Sequence, residues 1–177
     1  MENNTGGELD GSMENNAMDL SMVSEAGLRA FRAVGKFMED DGWHPQAMED
    51  NLVYRAYFVG HNGEVTCFAQ VRGDLEQFIF YVVMPVRAPV NMRVAVAEYI
   101  TRANYGLRIG NFEMDFDDGE VRYKSSIDFE DMELTPSLIR NTIYPAVQTM
   151  DRYLPGVLSV IFGGKSAEDA IAAIEEE

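Results

Sequence analysis

One cysteine, one tryptophan and two histidines are all that 177 residues offer of some of the side chains often recruited for covalent or metal chemistry. A lone Cys67 excludes an internal disulfide and a cysteine-based zinc site, and it fits a reducing compartment. Neither His44, within Trp43-His44-Pro45, nor His61 is placed to activate that thiol, so Cys67 reads as an inert core side chain. The chain also lacks the G-x-S-x-G, P-loop, G-x-G-x-x-G, H-E-x-x-H and paired-cysteine patterns that would anchor a hydrolase, nucleotide or zinc reading. No catalytic, cofactor-binding or metal-binding residue is therefore assigned, and a non-enzymatic protein is expected. Positive charge is the other scarcity. Lysine and arginine number 14 against 30 aspartates and glutamates, a net −16, and residues 1–25 and 168–177 contain no base. Such a surface repels phosphate backbones and anionic lipid heads, which argues against nucleic-acid and membrane partners. No apolar run is long enough to span a bilayer, and the N-terminus has neither the basic region nor the continuous apolar region of a signal peptide. A cytoplasmic location is expected.

What is present suits a globular core: 46% of the residues are hydrophobic and 25% charged. The acidity sits mainly at the ends, because residues 26–167 hold 19 acids against all 14 bases, a balance of −5. Residues 1–22 have too little apolar content to offset the entropy of ordering and are expected to form a disordered acidic tail. Within it Leu9, Met13, Met18 and Met22 include i,i+4 pairs that a partner could fold into a helix, although a solvated tail is the plainer expectation. Residues 23–177 are expected to form a single domain.

The stretch Gly110 to Ser125 specifies most about itself. Phe112, Met114 and Phe116 alternate with Glu113, Asp115 and Asp117, and Asp118-Gly119 is a favoured two-residue turn. With that turn as the loop, Met114 faces Tyr123 and Phe116 faces Val121 on the buried side, while Asp115 faces Arg122 and Glu113 faces Lys124 on the wet side. The Asp-x-Asp-Asp-Gly-Glu run at 115–120 invites a calcium reading. Placing Gly119 at the sixth loop position, however, puts Met114 and Phe116 where oxygen ligands are needed, so the run reads as strand and turn.

Elsewhere, helical spacing of Leu28, Phe31, Val34 and Met38 predicts a helix near 23–41 that Gly42 ends. Leu52–Gly60 and Glu64–Arg72 read as a hairpin turning at Asn62-Gly63, with Phe58 facing Cys67, Ala56 facing Ala69, Tyr57 facing Phe68 and Val59 facing Thr66. Both faces of this hairpin carry apolar residues, so something beyond one layer of helices is expected to cover the second face. Phe78–Val83 is a continuous apolar strand. Helical spacing returns from Val90 to Tyr105 through Val94, Ala97 and Ile100 or Thr101. Thr135-Pro136 starts a third helix, which Pro145 should kink or divide and Pro155-Gly156 should end. Val157–Phe162 then reads as a separate short apolar run, and Ser166 to Asp169 as the capping box of a last helix through Ile174. The eleven methionines read chiefly as core packing, and Trp43 either as an exposed anchor or as a lid on the core.

This order, together with Asn104 near the end of the second helix and the run Gly110-Asn-Phe-Glu-Met-Asp115, Asp118-Gly-Glu120 and Tyr123, resembles the YbjN-like family of bacterial proteins. The resemblance covers roughly residues 24–174 and carries no catalytic motif. It implies an α+β fold with an antiparallel five-stranded sheet in the order α-β-β-β-α-β-β-α plus a short C-terminal helix, similar to type III secretion chaperones, which dimerise and hold partner segments on their surface. The family is described as regulators of sensory transduction. The expected function is thus a regulatory, chaperone-like homodimer that binds another protein through an exposed sheet or helix surface. The alternative is a small-molecule sensor, or an enzyme with an unrecognised pocket.

Overall fold

The computed structural model describes residues 20–176. Residues 1–19 of the expected acidic tail lie outside that range, while its last three residues, Leu20–Met22, form a 3-10 turn. Helix α1 (Glu25–Asp40) starts where expected: the Ser24 hydroxyl accepts from the Gly27 amide, a cap that stabilises by about 1 kcal/mol. Gly42 ends it with φ +80. Helix α2 (Arg93–Gly106) follows a 3-10 turn at Val90–Met92 and buries Val96, Tyr99, Ile100 and Ala103. Of the expected stripe Ile100 is thus buried, whereas Val94 is 76% exposed.

Six strands, not five, form one antiparallel sheet in the order β1-β2-β3-β4-β6-β5: β1 Gln46–Met48, β2 Val53–Val59, β3 Glu64–Arg72, β4 Gln77–Val83, β5 Asn111–Met114 and β6 Val121–Asp128. The additional strand, β1, is three residues long and pairs only with β2. Its Gln-Ala-Met sequence has neither β-branched residues nor alternation to announce it.

Both hairpins adopt a register displaced by two residues from the expected one. In the first, Phe58 faces Val65, Tyr57 faces Thr66 and Ala56 faces Cys67, so the tip is His61-Asn62 instead of Asn62-Gly63. The cause is tertiary, since Asp151 accepts from the amides of His61 (3.0 Å) and Asn62 (2.7 Å). In the second, Met114 faces Val121, Phe112 faces Tyr123 and Glu113 faces Arg122. The loop spans residues 116–119, closed by a bond from the Asp115 amide to the Glu120 carbonyl. Aspartate side chains build it: Asp115 accepts from the Asp117 amide and Asp118 from the Glu120 amide, while Gly119 takes φ +79. Phe116, expected inside, is lifted into the loop and is 55% exposed; Asp115 does not face Arg122, and Glu113 faces Arg122 while its carboxylate also reaches the expected Lys124 at 2.6 Å.

Helix α3 runs unbroken from Pro136 to Ile161 through both Pro145 and Pro155, and Val157 and Val160 prolong its buried stripe instead of forming a separate segment. Proline at 155 removes the amide that would bond the carbonyl of residue 151. That carbonyl instead accepts from Asn62 Nδ2 at 2.9 Å, so the hairpin tip supplies what the helix lacks. Helix α4 (Ala167–Glu175) begins with the expected cap, Ser166 accepting from the Asp169 amide. All four helices contribute to one core against a single face of the sheet, where Cys67, Phe78, Phe80, Val82, Phe112 and Tyr123 are buried. Trp43 is the lid on that core, packing on Phe58, Phe80 and Tyr144.

Candidate interaction surface

Strand alternation fixes which side chains face away from the helices. Even positions of β1, β3 and β6 and odd positions of β2, β4 and β5 share that face, giving three central rows across the sheet: Met48, Val53, Gln70, Ile79, Ser126; Arg55, Phe68, Tyr81, Lys124; and Tyr57, Thr66, Val83, Arg122, Glu113. Val53 and Phe68 are buried yet stand outside the helix-side core, shielded by neighbours on their own face. Ile79, Tyr81 and Val83 are half-buried, and Tyr57 and Val59 are 53% and 72% exposed. The second face expected to need a cover is therefore real, and α3 does not wrap around to provide one.

Its charges are arranged over the rings. The Arg122 guanidinium lies 4.5 Å from the Tyr81 ring centre and that of Arg55 lies 5.2 Å from Tyr57. Glu113 joins Arg122 and Lys124 at 2.6 Å each. Burial pushes the Glu113 carboxyl up, but hydrogen bonds from Lys124 and Arg122 outweigh it and hold the group below its ordinary range. A groove of about 400 Å³ beside this triad is lined also by Met114, Phe116 and Glu120.

The two terminal strands of the sheet are blunted by different means. On β5, Asn104 presents its amide side chain as a substitute strand, accepting from the Phe112 amide at 2.7 Å and donating to the Phe112 carbonyl at 2.9 Å. At the other edge β1 is short, preceded by Pro45 and ended by a 3-10 turn. These edges disfavour strand addition and leave the face as the broad apolar surface of the sheet. Between β4 and α2, Arg87 pairs with Asp118 and lies 3.5 Å from Glu120, while Arg93 donates to the Phe116 carbonyl at 2.6 Å. The carboxylates of the 115–120 run thus serve the loop and its strap.

The residues weighed as nucleophile and bases lie apart in role. Cys67 is wholly buried in the sheet interior, and burial pushes its thiol well above the ordinary range. His61 is at the hairpin tip, and His44 follows Trp43 with φ +50. Among the described residues no three His, Cys, Asp or Glu side chains are grouped as a metal site. A further groove, about 630 Å³, lies between α1 and the 129–134 loop, with Ala26, Ala30 and Ala33 on one wall and Phe129, Met132 and Leu134 on the other. Among the described residues no helix is long and apolar enough to cross a membrane.

The open face had a signal in the sequence, apolar residues on both sides of β2 and β3. In the sequence Asn104 marks the family resemblance without announcing the edge it seals, and Asp151 does not stand out. The only signal for Asp151 was its position four residues before Pro155, where a helix carbonyl loses its partner. A family model named YbjN and described as "Putative bacterial sensory transduction regulator" matches residues 32–159. No curated protein matches the chain.

Proposed function

The chain belongs to the YbjN family, and from that premise we propose that it is a non-enzymatic regulatory module, chaperone-like in action, that binds another protein through the open face of its sheet. The single observation supporting this most directly is the face of Tyr57, Val59, Ile79, Tyr81 and Val83, opposite the helix-packed core and covered by no helix. The short terminal strand β1 and the Asn104 seal on β5 support recognition by side chains of the face over strand addition. A two-fold homodimer belongs to the same proposal. Val94, Tyr105 and Phe162, all at least 70% exposed on the helix layer, supply apolar contacts for it without using the sheet. We place the protein in the cytoplasm, in keeping with its single, buried thiol.

Affinity capture from the native cytosol tests the partner. The double substitution Tyr57→Glu with Val59→Lys changes only well-exposed side chains and should abolish capture while leaving the melting temperature nearly unchanged. Equal capture by both proteins would remove the open face from the account. Light scattering at micromolar concentration tests the dimer, which is excluded by a mass near 19.9 kDa that does not change with concentration.

A further inference from the structure

The centre of the open face carries more positive than negative charge. Its three central rows hold Arg55, Arg122 and Lys124 with Glu113, and Glu64 and Asp128 stand in the flanking rows of the same face, in a protein of net charge −16. Arg55 also has a buried Nε without a hydrogen-bond partner, beside its stacking contact with Tyr57. A carboxylate accompanied by flexible apolar groups complements such a surface, because guanidinium donors take the oxygens and thioethers pack well on aromatic rings. The chain carries such a segment. Residues 1–19 contain Glu2, Glu8, Asp10, Glu14 and Asp19 with no base, interspersed with Leu9, Met13 and Met18.

We propose that residues 1–19 are a ligand of this face, docking in cis over Tyr57 and Tyr81 and thereby competing with the protein partner. This rests on the reading of the face as the partner site and adds its regulation. The point of attachment favours it. The Ser24 amide donates to the Gly73 carbonyl at 3.1 Å, which holds residue 24 beside the β3–β4 turn, next to Arg72 at the end of β3. From Arg72 to the row of Thr66 is six residues of β3, about 20 Å, whereas nineteen residues can extend about 60 Å. A tether that exceeds its span by this margin gives an effective concentration of about a millimolar, so weak contacts suffice for occupancy. A second copy on the same face would set Arg55, Arg122 and Lys124 against their own equivalents, which the acidic segment avoids.

The test uses the full chain. Cys67 is buried and takes no label, so Ser12→Cys carries a single nitroxide, and line broadening of backbone amides reports its neighbourhood. The expected result is broadening concentrated at Tyr57, Phe68, Tyr81 and Lys124 and lost when the five tail acids are replaced by Gln or Asn, or at about 0.5 M NaCl. Broadening confined to the helix layer, or spread evenly, would overturn the docking. So would the same broadening in a mixture of labelled chain and isotope-labelled unlabelled chain, since the contact would then be between copies. If the tail makes no contact but capture still depends on Tyr57 and Val59, this inference fails and the partner reading stands. If the tail docks but capture ignores those substitutions, the partner reading fails and tail docking stands.

Discussion

Replacing Asn62 by Ala tests how the hairpin tip and the long helix hold one another. Asn62 Nδ2 donates to the carbonyl of residue 151, which Pro155 leaves without its helical partner. Losing one neutral hydrogen bond and exposing that carbonyl should cost about 1 kcal/mol, the tip being accessible to water. Pro155→Ala restores the missing amide, so in that background the carbonyl regains a partner within the helix and Asn62→Ala should cost appreciably less. Urea denaturation of the four proteins of the cycle reads the coupling from the midpoints at constant m. Equal costs of Asn62→Ala in the two backgrounds would refute the claim that the tip compensates for the proline.

Gly60→Ala should destabilise by more than about 1 kcal/mol, since its Cβ would meet Asp151 Oδ1 at 2.2 Å; a neutral result in thermal melts would mean the tip has room to move. A double-mutant cycle of Glu113 with Arg122 should show coupling of about 1 kcal/mol at low salt, whereas Asp115 with Arg122 should show none. Because the folded Glu113 carboxyl titrates below its ordinary value of 4.5, the stabilisation it provides is complete above that pH and is lost as pH falls through the lowered value. Acid titration of Glu113→Gln against the parent checks the sign. Asn104→Ala removes both side-chain bonds to Phe112 and should cost about 2 kcal/mol, and it unseals the β5 edge, so denaturation and concentration-dependent light scattering should both respond.

Caps and faces were legible in the sequence because they depend on local chemistry. Thr135 and Ser166 cap the helices expected of them, and in β2 and β3 the residues expected to share a face do so. A two-residue shift of register preserves the faces, so the side assignment survived even where the opposite neighbours changed. Register itself was not legible. Asn62-Gly63 and Asp118-Gly119 are strong local turn signals, yet Asp151 at one tip and Asp115 with Asp118 at the other hold different turns. The unbroken course of α3 through two prolines is likewise tertiary. The apolar stripe through Val147, Met150, Leu154 and Val157 keeps it on the core, and Asn62 meets the orphaned carbonyl. Of the interaction surface, the surplus of apolar residues could be read from the sequence, whereas closure of the β5 edge by Asn104 needed the fold.

Site-specific photo-crosslinking in cells tests the central claim most directly. A benzophenone side chain replaces Tyr57 on the open face in one protein and Tyr105, 98% exposed on α2, in another, both lacking residues 1–19 so that the tail cannot intervene. The account predicts a discrete adduct with another protein from position 57 that Val59→Lys suppresses. Adducts from position 105 alone, or adducts from 57 that ignore Val59→Lys, would contradict it.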